Sequence, residues 1–152
     1  MNPHVVLVED WPQPDTVNAA IVIANGPRLT ICYGTGEDEF AVLTFPRSTE
    51  LKAGGPNDEA LNGHPLYRFG LRPYSIHRIE SSPWLQELER RNSVHPRHDA
   101  KEFLRDKIHY LFALKEETIE CVVTERDTSQ VHVEVFKSRS LALGHLRGRI
   151  DA

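Results

Sequence analysis

Residues 107–125, with the sequence KIHYLFALKEETIECVVTE, contain two runs of apolar and β-branched residues separated by a short charged segment. In the first run apolar residues recur at positions 108, 110, 112 and 114, as they do in a strand with one buried face. Lys115-Glu116-Glu117 is short and polar enough to form a turn, and residues 118–123 return from it. The segment therefore predicts an antiparallel hairpin.

The turn also determines which side chains of this hairpin meet. If the strands pair directly across it, His109 and Glu120 both lie on the face opposite the apolar one, where they can form a cross-strand pair. A strand face is a rigid platform for a site, so we expect these two residues to line its floor. Cys121 then points to the core. The alternative, a nucleophilic cysteine, requires a base within hydrogen-bond reach of the thiol.

Strand patterns also occur on both sides of the hairpin. Asn25-Gly26-Pro27 is a strong turn signal between two apolar runs, which predicts a second hairpin over residues 19–33. Asp127-Thr128-Ser129 separates the central hairpin from a further run. The remaining strands are predicted at residues 4–9, 39–45, 74–80 and 131–136.

Helix signals are fewer. Ser82-Pro83 has a capping serine before a proline, which suits the first turn of a helix. Asp99-Ala100-Lys101-Glu102 has the spacing of a capping box. Residues 138–150 carry an apolar helical stripe at Leu143, Leu146 and Ile150. The order of elements predicts one α+β domain over residues 1–152, with a mainly antiparallel sheet of about seven strands and two or three helices.

Composition excludes several classes of protein. The chain is 39% hydrophobic and 26% charged, with a net charge of −4, so it lacks the basic excess of a nucleic-acid binder. It has no apolar run long enough for a membrane helix, and Met1-Asn2-Pro3-His4 does not begin a signal peptide. Two cysteines are too few for a disulfide framework. We therefore expect a soluble cytoplasmic protein, with a homodimer through exposed strand edges as an open alternative to a monomer.

Polar side chains are most concentrated in residues 54–67, which carry three glycines and two prolines. Asn57, Asp58, Glu59 and His64 supply an amide, two carboxylates and an imidazole there. A carboxylate paired with a histidine is the minimum for general acid–base chemistry, so Asp58 or Glu59 with His64 is a candidate catalytic pair. The alternative is structural, because Asn57 or Asp58 can cap a turn at residues 59–61 while His64 bonds to the backbone.

A second candidate lies at Val94-His95-Pro96-Arg97-His98-Asp99. Arg97 and His98 precede a predicted helix N-terminus, where free N–H groups and the helix dipole favour an anion. Two histidines at this spacing can also reach one metal ion, although Pro96 restricts the backbone and Asp99 is better used as a cap. A solvated basic turn is the third alternative. We expect His95, Arg97 and His98 to bind a ligand and predict no metal.

Tyr67, Arg68 and Arg72 add a phenol and two guanidinium groups, which suit a carboxylate or phosphate. Glycine-rich phosphate loops and the Gly-x-Ser-x-Gly and HExxH motifs do not occur, so no cofactor is expected.

Four segments resemble a group of small bacterial proteins to which no activity is attached. They are GGPNDEAL at residues 54–61, GHPL at 63–66, VHPRH at 94–98 and ECV at 120–122. The resemblance covers roughly residues 50–124 and implies only that these segments occur together in one fold.

Two functional hypotheses follow. The first is a small enzyme with an acid–base pocket for a small polar or anionic molecule. In it Asp58, Glu59 and His64 face the segment that contains His95, Arg97 and His98. The second is a non-catalytic protein-binding or accessory (immunity-type) module that docks a partner through its acidic N-terminal part. The concentration of acids, histidines and arginines in irregular segments favours the first.

Overall fold

The computed structural model describes residues 1–126 and 130–151, so the predicted separation at 127–129 lies outside the described residues. These residues form nine strands, three α-helices and two 3-10 helices. The predicted α+β class is confirmed, with two more strands than the expected seven. The strands are β1 (His4–Leu7), β2 (Ile21–Asn25), β3 (Arg28–Gly34), β4 (Phe40–Phe45), β5 (Ser48–Gly54), β6 (Ser75–Glu80), β7 (Lys107–Ala113), β8 (Thr118–Thr124) and β9 (His132–Phe136). The helices are the 3-10 helices Asp58–Gly63 and Tyr67–Phe69 and the α-helices α1 (Pro83–Asn92), α2 (Ala100–Leu104) and α3 (Arg139–Asp151).

The strands form two antiparallel sheets. The larger sheet has the order β1-β6-β7-β8-β5, and the smaller has the order β2-β3-β4-β9. The predicted hairpin is β7–β8, with Ala113 opposite Thr118 and Leu114 N–H bonded to the Glu117 carbonyl. It lies in the middle of the larger sheet because both of its strands carry apolar residues on two buried faces.

The main core lies between the two sheets. Alternate residues of β7 and β8, including Tyr110, Phe112 and Cys121, pack against Ile31 and Leu43 of the smaller sheet. Trp11 enters this core from the loop after β1, and its ring lies 4.9 Å from that of Tyr110. This inter-sheet packing follows from the period-two alternation of the sequence.

The outer faces of both sheets are covered by helices. Residues 58–71 and α1 cover the larger sheet, with Leu61 and Leu66 against Leu111, and with Trp84 against Val122. Helix α3 covers the smaller sheet. The outer face of β7–β8 is thus enclosed, and it is the face that carries His109 and Glu120.

Two sequence expectations need correction. Residues 48–54 form β5, an edge strand whose residues are mostly exposed and include Glu50 and Lys52, so no apolar pattern marks it in the sequence. In α3 the buried residues are Ala142 and Leu146, whereas Leu143 and Ile150 of the predicted stripe are exposed. The small alanine side chain lets the helix approach Cys32 and Val42 closely, so that alanine rather than leucine marks the inner face.

Candidate functional site

The carboxylate of Glu120 lies between two histidines. Its Oε1 is 2.8 Å from His109 Nε2, and its Oε2 is 3.0 Å from His64 Nε2. The contact with His109 is the cross-strand meeting expected from the hairpin; the contact with His64 joins the hairpin to the segment after β5. All three side chains are almost inaccessible: that of Glu120 is 12% exposed, and those of His64 and His109 less.

The hydrogen-bond partners of the two ring nitrogens define the tautomer of each histidine. The backbone N–H of Leu66 donates to His64 Nδ1 at 3.0 Å, so in the neutral ring the proton is on Nε2 and points to Glu120. The Ser82 hydroxyl lies 2.7 Å from His109 Nδ1 and also accepts the N–H of Leu85 at 3.1 Å. Because an ionised carboxylate can only accept, the His109 proton is again on Nε2, facing Glu120, and the Ser82 hydroxyl donates to Nδ1. Both rings donate to Glu120.

This arrangement keeps Glu120 ionised. Burial alone would raise the pKa of Glu120, but the hydrogen bonds from His109 and His64 outweigh it and hold the pKa at about 2. An ionised carboxylate only accepts hydrogen bonds, and each oxygen has lone pairs beyond the one that a histidine occupies. The site thus presents a fixed, largely buried anion.

Local sequence signals place each member of this network. Asn57 caps the first 3-10 helix by accepting the N–H of Ala60 at 3.1 Å, and the burial of Leu61 holds that helix on the sheet. His64 follows as its C-terminal cap. Ser82 is the N-cap of α1, as its Ser-Pro sequence predicts, and it serves both the helix and His109.

A cavity of about 410 Å³ opens above Glu120. Its walls are largely apolar. Its charged side chains are the carboxylates Glu87 and Glu120 and the cations Lys52 and Arg90. Lys52 lies directly opposite Glu120 in the β5–β8 pairing, and its Nζ is 4.2 Å from the centre of the Trp84 ring. The remaining lining residues are His64, Pro65, Leu66, Pro83 and His109. A volume of this size fits a small metabolite.

The other acidic candidates face elsewhere. The Tyr74 hydroxyl donates a hydrogen bond to Asp58 Oδ2 at an O–O distance of 2.5 Å, and Lys115 Nζ lies 3.9 Å from the same oxygen. The Tyr74 hydrogen bond, followed by the Lys115 charge, lowers the pKa of Asp58 against the effect of burial. Glu59 is exposed. The structure therefore does not pair Asp58 or Glu59 with His64, because the 3-10 turn directs them away and Glu120 takes that position.

The segment 94–99 does not face this cavity. His98 accepts from Asn92 Nδ2 at 2.9 Å and donates to Glu89 at 3.3 Å, so it fastens the end of α1 to the start of α2. His95 Nδ1 accepts the N–H of Arg97 at 3.1 Å. Asp99 caps α2 as expected. His95, Arg97 and His98 line a separate, shallower depression of about 330 Å³, and the structure does not bring them to His64.

Tyr67 and Arg68 lie in the second 3-10 helix and are exposed, with the Arg68 guanidinium 4.7 Å from the Phe69 ring. Neither lines the cavity above Glu120. Five polar or aromatic residues of the site were not among the sequence candidates: Lys52, Trp84, Glu87 and Arg90, which line the cavity, and Ser82, which contacts His109. The Ser-Pro sequence at Ser82 indicates only a helix cap. The position of Lys52 opposite Glu120 depends on β5, which no sequence pattern marks.

Within residues 1–126 and 130–151, no group of three histidine, cysteine or carboxylate side chains is placed to hold a metal ion. Of the helices in this part of the chain, none has the length and apolar character that a bilayer crossing requires. No known family model matches the chain, and neither a curated protein nor a solved structure shows significant similarity to it.

Proposed function

We propose that the chain binds a small polar or anionic molecule in the cavity above Glu120. The observation that carries this proposal is the ionised Glu120 carboxylate, fixed by two histidine donors at the base of a largely apolar cavity. Burial of a carboxylate costs free energy unless its hydrogen bonds are made inside the protein. The fixed geometry of this carboxylate pre-organises one orientation of a ligand.

The charges of the cavity define the class of ligand. Glu120 accepts a hydrogen bond from a hydroxyl or ammonium group, while Lys52 and Arg90 attract a carboxylate or phosphate. Pro65, Leu66 and Trp84 receive a short apolar body. The best match is a small hydroxy acid, amino acid or phosphate ester.

We favour a role for Glu120 in ligand binding over a role in proton transfer. A general base works best when its pKa lies near the operating pH, and a carboxylate with a pKa of about 2 is a weak base at neutrality. Both ring nitrogens of His64 and of His109 are already hydrogen-bonded. An enzymatic role would require the ligand to displace one of these hydrogen bonds, most simply that between His64 and Glu120, which faces the cavity.

Thermal unfolding with a panel of hydroxy acids, amino acids and phosphate esters tests the proposal. A ligand at 100 times its Kd stabilises the folded state by about 2.7 kcal/mol, which raises Tm by several degrees. We expect Arg90→Met and Lys52→Met to reduce this shift. Arg91→Met is the matched control, because Arg91 follows Arg90 in the chain but pairs with Glu50 outside the cavity. The proposal fails if no compound shifts the wild type, or if both cavity variants respond as the control does.

A further inference from the structure

The larger exposed apolar side chains of the sheets concentrate on one strand edge. In β9, Val133 and Val135 are 39% and 46% exposed although they lie on the same face as the core residues Leu43 and Ala41 of β4. In the described part of the chain β9 is the last strand of the smaller sheet, so its outer backbone groups have no strand partner. An unpaired edge of this kind is a template for another strand.

The other three edges differ from that of β9. β1 has only four residues, and its His4 faces Glu80 at 3.8 Å. β5 contains a bulge between Ser48 and Glu50 and carries the charged Lys52. Short length, bulges and charges all oppose edge-to-edge pairing. β2 exposes only Ala24 and Asn25, because Ile21 and Ile23 pack towards α3, so it presents no larger exposed apolar side chain.

We propose that β9 pairs antiparallel with β9 of a second copy of this chain, with a two-fold axis at Val133. The two smaller sheets then form one eight-stranded sheet. Two residues that face each other across the contact must point to the same side of the sheet. The two-fold axis must therefore pass beside a residue and not midway between two residues. An isologous contact of this kind closes after two copies.

Side-chain complementarity selects among the permitted registers. With the axis at Val133, His132 of each copy faces Glu134 of the other, and Val131 faces Val135. Glu134 Oε1 lies 3.2 Å from His145 Nε2 and 3.4 Å from Arg149 Nη2 of its own α3, so Oε2 is the oxygen that receives His132 of the second copy. An axis at Glu134 would instead place two carboxylates directly opposite each other, which is unfavourable. The axis at Val133 is therefore the register in which both the polar and the apolar positions are complementary.

Cysteine cross-linking tests this register directly. In Val133→Cys the two introduced thiols lie opposite each other, where the Cα separation of an antiparallel pair, about 4.5–5.5 Å, is within disulfide range. In Val135→Cys, an equally exposed position on the same face, the thiols are offset by four residues, or roughly 13 Å along the strand. The native Cys32 and Cys121 are buried and do not compete. We expect at least a tenfold faster disulfide-linked dimer from Val133→Cys.

Analytical ultracentrifugation supplies the second measurement. We expect a concentration-dependent dimer for the wild type, weakened at least tenfold by His132→Glu, which places like charges opposite each other. The control is His4→Glu, the same change on the edge of the other sheet, and it should leave the dimer unchanged. Circular dichroism checks that each variant is folded. The proposal is overturned by a wild type that stays monomeric at the highest soluble concentration, by equal cross-linking rates, or by equal effects of the two histidine changes.

Discussion

Replacement of Glu120 by glutamine is the sharpest single perturbation of the site, because it keeps the shape and removes the charge. A glutamine has one oxygen and one NH2 group, whereas the two histidines both donate. His64 cannot reverse its tautomer, since the N–H of Leu66 occupies its Nδ1. His109 can, because the Ser82 hydroxyl can rotate to accept instead of donate. We therefore expect the glutamine oxygen to face His64 and its NH2 to face His109 in the opposite tautomer.

The magnitude follows from the two lost charge-assisted hydrogen bonds. Hydrogen bonds to a charged group contribute about 1.5–3 kcal/mol each and neutral ones about 0.5–1.5 kcal/mol, so Glu120→Gln should lower the free energy of unfolding by about 1–3 kcal/mol at pH 7. Glu120→Ala should cost about 3–5 kcal/mol, because it leaves two buried donors without an acceptor.

The pH dependence separates this account from a simple packing defect. The folded-state pKa of Glu120, about 2, lies below its ordinary value of 4.5, so its stabilisation is present above pH 4.5 and is lost as the pH falls towards 2. That difference corresponds to roughly 3 kcal/mol, of which about 2 kcal/mol should be lost between pH 6 and pH 3. Glu120→Gln lacks this loss.

Urea unfolding at pH 6 and at pH 3, followed by tryptophan fluorescence and circular dichroism, gives the four free energies needed. The difference between wild type and Glu120→Gln should shrink by about 2 kcal/mol at the lower pH. Leu61→Ala is a suitable control, since it removes a buried side chain but no titrating group, and its cost of about 2–5 kcal/mol should not depend on pH. A pH-independent gap between wild type and Glu120→Gln would refute the reasoning.

Three further predictions concern other titrating groups. Tyr74→Phe removes the hydrogen bond that most lowers the pKa of Asp58, so carboxyl NMR should show that pKa move up towards its ordinary value; an unchanged titration would argue against the contact. Burial lowers the pKa of His77, whose ring is bonded to the Leu111 carbonyl and the Arg72 N–H, so its imidazole NMR signals should titrate below pH 6.5 and not at the ordinary value. Burial, followed by the nearby Glu120 charge, raises the pKa of Cys121, so iodoacetamide should label this thiol only after unfolding; rapid labelling of the native protein would contradict its place in the core.

Much of the fold could be predicted because period-two alternation and turn residues act locally. The hairpin over residues 107–125 is the strongest case, since its turn length and apolar spacing together specify the register. The sequence does not predict β5 for a physical reason: an edge strand that carries Lys52 and other mostly exposed residues needs no apolar pattern. In α3 the spacing of Leu143 and Ile150 predicts the wrong buried face, because close packing of the helix on the sheet favours the small side chain of Ala142.

The site could be predicted only in part. Alternation within the hairpin predicted that His109 and Glu120 would meet, because register is a local property. The approach of His64 to Glu120 depends on how residues 58–71 dock on the sheet, and no spacing in the sequence reports that. Ser82 carried a clear capping signal, which concealed its second contact with His109. Tertiary packing therefore determined which of the conspicuous polar residues converge.

The central claim is that Glu120 is an ionised acceptor between two Nε2–H donors at the base of the cavity. A long-range ¹H–¹⁵N NMR spectrum of the imidazole rings, recorded at pH 7 with His64→Gln and His109→Gln for assignment, tests it most directly. We predict that both rings carry their proton on Nε2, with Nδ1 bare, as the Leu66 N–H at His64 Nδ1 and the Glu120 carboxylate at both Nε2 atoms require. A proton on Nδ1 of either neutral ring would contradict the account.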